Sequence, residues 1–178
     1  MTQIQEGRAA GSVEEAMAEP LIAGAGVGEA TIDLRDPSGG MDFATRAPSG
    51  HELVIDTGAD HGGHDLGVQP LELLLVALAG CTGMDVISIL RKKRQVVTGY
   101  RVRVAGAQQE DHPRVYTEIV VQHIVSGPNL DPKAVARAVE LSATKYCPVS
   151  AMLSHACTLT HRYTIVQAEA EPDPGVRS

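Results

Sequence analysis

The chain of 178 residues has no tryptophan, one phenylalanine (Phe43) and four tyrosines. That scarcity excludes an aromatic core, so whatever packs its interior is aliphatic. A second scarcity is local positive charge. The formal net charge is −7, and the longest basic block is Arg91-Lys92-Lys93-Arg94. This balance argues against general nucleic-acid binding. The block reads instead as cations matched to the negative end of a helix dipole.

The chain also lacks the marks of export. Met1 to Arg8 shows no basic region followed by an apolar stretch, so no signal peptide is expected. The run from Leu71 to Leu78 is broken by Glu72, and no membrane span is expected. Three cysteines in such a chain suggest a reducing, cytoplasmic setting. There a disulfide is more often catalytic or transient than structural. No phosphate-binding glycine loop and no nucleophile-elbow motif is found.

The length suits one domain with a real core. Residues 1–28 are rich in Ala, Gly and Glu and read as a flexible extension, with a short helix near Val13 to Ala18. Residues 168–178, containing Pro172 and Pro174, read as a similar tail. Residues 29–167 form the expected domain. Thr31 to Arg35 and His51 to Asp56 are predicted strands, with turns at Pro37-Ser38-Gly39-Gly40 and Pro48-Ser49-Gly50. A loop rich in Gly, His and Asp runs to Gln69. Pro70 then suits a first helical turn, and the predicted helix reaches about Arg94. It is apolar nearly all round to Leu90, which places it in a core or an interface.

Tyr100 to Ala105 and Val115 to Val125 alternate as strands. Asp131-Pro132 supplies a cap and a first-turn proline for a second helix. Cys147-Pro148 ends or bends that helix, because the residue before a proline disfavours helical backbone. A third short helix carries Val149, Met152 and Leu153, and Thr158 to Val166 closes as a strand. The order reads as α+β with an antiparallel sheet.

Two thiols stand in unusual places. Cys147 precedes a helix start, where the dipole favours a thiolate, although a small buried cysteine filling a gap would look the same. Cys81 lies mid-helix between Gly80 and Gly83. Each of those glycines costs about 1 kcal/mol relative to Ala, so they mark a close approach of backbone or ligand. Asp85 and Ser88 share the stripe of Cys81 one and two turns later. A polar stripe in an apolar helix is expensive unless something uses it. Asp85 opposes ionisation of Cys81, so a reactive Cys81 needs a cation; with no such cation, Asp85 is a member of a structural ion pair. Glu72, nine residues before Cys81, lies on the opposite face about 13 Å along the axis, and suits the helix N-terminus. The candidate cation is Arg114, which is equally readable as an exposed edge arginine.

His61-Gly62-Gly63-His64-Asp65 has a possible metal spacing, but its loop is glycine-rich and shows no fourth ligand. His155 and Cys157, at a helix-to-strand junction, are weaker as ligands, and Cys157 reads as a buried bystander. His123 reads as a satisfied core histidine. No metal or cofactor is expected.

Taken together, Pro70-Leu71-Glu72-Leu73-Leu74, Gly80-Cys81-Thr82, Asp85 to Leu90, Pro113 to Thr117 and Leu141 to Val149 resemble the OsmC/Ohr family, and most closely its YhfA-like branch. The resemblance covers about residues 40–167. It implies an OsmC-like α+β fold, with antiparallel sheets, two main helices and a long apolar helix buried in an intertwined homodimer. It also implies a thiol peroxidase. Cys81 would attack a hydroperoxide and become a sulfenic acid, Cys147 would resolve it, and an external dithiol, lipoyl-type in some members, would restore both.

Two family features are displaced. The glutamate expected directly after the proline falls at Leu71, with Glu72 one place later. The N-terminal arginine falls near Met41, flanked by Arg35 and Arg46. Arg114 or Arg46 would then serve as the activating cation. The alternative is a non-enzymatic OsmC-like dimer that senses redox state or binds a small apolar ligand.

Overall fold

The computed structural model describes residues 29–37 and 39–167. The extension assigned to 1–28, its short helix and the tail at 168–178 lie outside these residues. The described chain forms two compact units, divided between Gln69 and Pro70.

In the first unit three short strands, β1 (Thr31–Leu34), β2 (Phe43–Arg46) and β3 (Glu52–Ile55), form an antiparallel meander. β2 was not among the predicted strands. The loop after β3 contains a single 3-10 turn, Ala59–His61, and wraps the buried carboxylate of Asp56. That carboxylate accepts the backbone N–H groups of Thr57, His64 and Leu66 at 2.7, 3.0 and 3.0 Å. The Leu66 N–H, followed by those of Thr57 and His64, holds the Asp56 carboxyl below its ordinary range against the opposing effect of burial.

This cradle explains the glycines beside the histidines. A Cβ on Gly63 would lie 2.0 Å from the Thr57 carbonyl oxygen. The side chains of the candidate metal loop are engaged separately. His61 pairs with Asp60 and His64 with Asp42, each at 3.6 Å, and these side chains do not converge with Asp65.

The second unit begins with α1 (Pro70–Lys92), followed by β4 (Gly99–Gln108), β5 (Tyr116–Gly127), α2 (Pro132–Leu141), a π turn (Ser142–Tyr146), α3 (Pro148–Leu153) and β6 (Thr158–Gln167). Asp131 caps α2 through Oδ1, which accepts the Lys133 N–H at 2.9 Å. β4 and β5 pair antiparallel, but β5 and β6 pair parallel. The expected all-antiparallel arrangement is corrected here. The chain leaves β5 and returns through two helices to β6, and a crossover of that length delivers a parallel neighbour.

The core is aliphatic. Val86 and Leu90 of α1 pack with Val125, Leu130, Val135, Ala138 and Val139. Leu78 packs with Ile119, Val121 and Cys147. Burying each such Val or Leu side chain is worth about 1.5–3 kcal/mol. β5 alternates strictly, with Ile119, Val121, His123 and Val125 buried.

α1 is long and apolar enough to span a membrane by length and composition, with mean hydropathy 2.1 over its most apolar 18 residues, so the apolar run is longer than the sequence reading gave it, although the core helix of a soluble protein meets the same measure. One of its faces is already covered by the unit's own core, through Leu78, Thr82, Val86 and Leu90. The other face exposes Leu74, Val76 and Met84, the last at 68%.

Candidate active site

The site is built where α1 meets the junction between α2 and α3. Cys81 and Asp85 are four residues apart on α1 and therefore share a face. At the junction the chain widens from α to π geometry, and the Cys147 N–H reaches back five residues to the Ser142 carbonyl at 3.0 Å. Cys147 then adopts extended backbone (φ −77°, ψ 107°) and caps α3, as a residue before proline should. Its Sγ accepts the Ser150 N–H at 3.3 Å.

The sulfurs of Cys81 and Cys147 and a carboxylate oxygen of Asp85 all lie within 4.8 Å of one another. All three cysteines are free. Ser142, fully buried, donates from Oγ to Asp85 Oδ2 at 3.1 Å and so ties the π turn to α1. Thr82, also buried, satisfies its own hydroxyl on the Leu78 carbonyl at 2.9 Å.

Burial pushes the Cys81 thiol up to about 11. The contact with Cys147 and the charge of Asp85 act in the same direction, while the Val149 N–H opposes them. Cys81 is half-buried, whereas Cys147 is 3% exposed. Of the flanking glycines, Gly83 faces β4, where an added Cβ would touch Val102 at 3.4 Å; Gly80 faces open space.

The structure thus brings together Cys81, Cys147 and Asp85, and leaves the other two predicted residues elsewhere in the unit. Glu72 is in the first turn of α1, where its charge is felt by Tyr116, whose hydroxyl donates to the Leu71 carbonyl at 3.3 Å. Arg114 lies in the exposed connection between β4 and β5, with φ at 51°. Its N–H donates to the Asp111 carbonyl at 2.9 Å. In the first unit Arg46 pairs with Glu52, its cross-strand neighbour, and Arg35 pairs with Asp42 at 3.3 Å. Cys157 borders the apolar cluster, and its Sγ donates to the Leu153 carbonyl at 3.5 Å.

Beside Asp85 a pocket of about 340 Å³ is lined by Asp85, Ser88, Ile89, Leu141 and Tyr146, with Lys92 and Lys93 also on its wall; neither thiol lines it. Behind the site runs a buried polar row across the sheet. Tyr100 Oη and His123 Nδ1 are 2.7 Å apart, and His123 Nε2 and His161 Nδ1 are 3.4 Å apart. Burial drives His123 down to about 4, with His161 adding to the effect, and burial also lowers His161. The Tyr100 phenol is raised by burial and by Asp85.

The site thus joins a half-buried thiol on a long apolar helix to a buried thiol at the cap of a later helix, in a unit that also holds a three-stranded sheet. The chain belongs to the family of OsmC-like proteins, whose model matches residues 62–162. Among its relatives is protein YhfA of Escherichia coli K12, 41% identical over 129 residues, which span 72% of this chain and 93% of YhfA. A crystal structure of a hypothetical protein from Aquifex aeolicus superposes with a TM-score of 0.69 at 32% identity, covering 80% of this chain and 98% of that one. An organic hydroperoxide resistance protein OsmC from Legionella pneumophila shares the fold at 12% identity. Its TM-score is 0.60, and the match covers 80% and 99% of the two chains.

Proposed function

We propose that this protein is a two-cysteine thiol peroxidase of the cytoplasm that reduces organic hydroperoxides or hydrogen peroxide in defence against oxidative stress. The observation that carries this reading is the proximity of the Cys81 and Cys147 sulfurs, in one cluster with Asp85. Cys81 is the more exposed of the pair, which suits it to meet the peroxide first. Its thiolate attacks the hydroxyl oxygen of the O–O bond, the alkoxide (hydroxide from hydrogen peroxide) leaves and takes a proton from solvent, and Cys81 becomes a sulfenic acid. The Cys147 thiol condenses with it, releasing water and forming a disulfide. An external dithiol then reduces the disulfide to two thiols and is itself oxidised. The neighbour from Legionella named for organic hydroperoxide resistance supports the assignment by fold.

The reaction needs a thiolate, and Cys81 stands near 11 in the single chain. At neutral pH such a thiol stays protonated. An activating cation is therefore part of this reading, and Arg114 and Arg46 are its candidates. The working unit is a homodimer, supported by the exposed apolar face of α1 at Leu74, Val76 and Met84. A second copy could bring the cation with it.

Consumption of cumene hydroperoxide by reduced protein with excess dithiol tests the proposal. Turnover at least tenfold above that of Cys81→Ser supports it, and equal rates overturn it. Unchanged Cys81 reactivity in Arg114→Ala removes that arginine from the site. The elevated Cys81 thiol itself favours a second reading, a non-enzymatic redox-sensing or apolar-ligand-binding dimer. In that case one equivalent of oxidant yields the Cys81–Cys147 bond without multiple turnover.

A further inference from the structure

The geometry points to a second use of the same cluster: Cys81, Cys147 and Asp85 form a three-ligand site for a thiophilic divalent cation of the zinc class. The donors come from two rigid elements, a face of α1 and the cap of α3, and their three ligand atoms lie within 4.8 Å of one another. In a tetrahedral zinc site with bonds of about 2.3 Å to sulfur and 2.0–2.2 Å to oxygen, ligand atoms stand about 3.5–3.8 Å apart. The cluster reaches that spacing with side-chain adjustments of about 1 Å or less. Two sulfurs and one carboxylate select zinc over magnesium or calcium, which prefer all-oxygen sets.

Three further features fit a metal site. Ser142 Oγ donates to Asp85 Oδ2 at 3.1 Å, and the Ser150 N–H donates to Cys147 Sγ at 3.3 Å. Both are outer contacts of the kind that orient ligands. Asp85 and Cys81 are only half-buried, and the pocket of about 340 Å³ on the Asp85 side gives an ion a path to that carboxylate. Lys92 and Lys93 on that pocket wall oppose a cation's approach by charge, but an ammonium has no lone pair with which to compete for the metal.

Binding displaces one proton from each thiol and forms two metal–sulfur bonds, so two protons are released per ion. A Cys81–Cys147 disulfide leaves no thiolate to bind, which makes the metal-bound and oxidised states mutually exclusive. The inference rests on the peroxidase reading in one respect only: zinc would hold the reduced pair out of reaction. Binding itself requires no turnover.

Reduced, chelator-stripped protein is titrated with Zn2+ by calorimetry in two buffers of different ionisation enthalpy, and with Co2+ to read a thiolate-to-metal charge-transfer band. The expected result is one ion per chain, about two protons released, and a charge-transfer band. Affinity should fall at least a hundredfold in Cys81→Ser and in Cys147→Ser, about tenfold in Asp85→Asn, and not at all in Cys157→Ser or His64→Ala. Circular dichroism confirms that each variant is folded. Equal affinity in a Cys81→Ser, Cys147→Ser double variant, or loss of binding in His64→Ala, overturns the site. Peroxide turnover of the metal-free protein is measured separately, so failure of the metal site and failure of the peroxidase reading give different patterns.

Discussion

Ser142 Oγ donates to Asp85 Oδ2 at 3.1 Å, across 57 residues of sequence, and this bond fastens the π turn to the helix that carries Cys81. Ser142 is fully buried. Ser142→Ala removes a donor to a carboxylate and leaves Asp85 one partner short. The expected cost is about 1–3 kcal/mol, read as a lower urea midpoint at unchanged slope. A midpoint equal to that of the parent protein would show that the bond contributes nothing to folding.

Asp85→Asn removes the charge that opposes ionisation of Cys81. Burial is the largest cause of the elevated thiol and Asp85 the smallest named. The gain in iodoacetamide alkylation of Cys81 at pH 8 should therefore be modest, about threefold. A hundredfold gain would make Asp85, rather than burial, the dominant brake on the thiol.

His123 gives the fold an acid-sensitive element. Its ring is fully buried and held neutral down to about pH 4, whereas an exposed histidine titrates near 6.5. Its folded value is thus depressed, so the unfolded chain binds the proton first. The stability that this group contributes is complete above pH 6.5 and is lost as pH falls from 6.5 towards 4, about 3 kcal/mol in all. His161 is shifted in the same direction. Urea unfolding at half-unit steps across that window should show the fall. His123→Leu should flatten it, while costing about 1–3 kcal/mol at pH 7.5 because the Tyr100 hydroxyl loses its partner.

Met84→Lys places a charge on the exposed apolar face of α1, where Met84 is 68% exposed in the single chain. Light scattering after size exclusion should show the parent protein at twice its chain mass and the variant at once its chain mass. A variant that remains at twice the mass would move the self-association surface elsewhere.

Much of the second unit is legible in the sequence, because its signals are local. Asp131-Pro132 marks a helix start, Cys147-Pro148 marks a break, and the alternation of β5 marks a half-buried strand. β2 escaped because Phe43-Ala44-Thr45-Arg46 carries Ala44 and Arg46 and has no aliphatic β-branched residue, unlike β1 with Ile32 and β3 with Val54 and Ile55. The parallel pairing of β6 escaped because direction is set by the crossover rather than by the strand's own residues. Within the site, the two thiols and Asp85 are readable from their flanks and their i,i+4 spacing. Ser142 is not, since its partner lies on another helix. The Tyr100–His123–His161 row is readable only in part. Each residue interrupts an otherwise dry strand face, but only the strand register places the three side by side.

The π turn at Ser142–Tyr146 acts as a phase shifter. Helical residues advance by about 100° each, so one residue more or fewer in this stretch would swing Cys147 roughly a quarter-turn away from Cys81. Deleting Thr144 would leave every ligand and nucleophile in the chain yet separate the thiols. Proximity at this site is therefore a property of chain length between Ser142 and Cys147, as much as of the cysteines themselves.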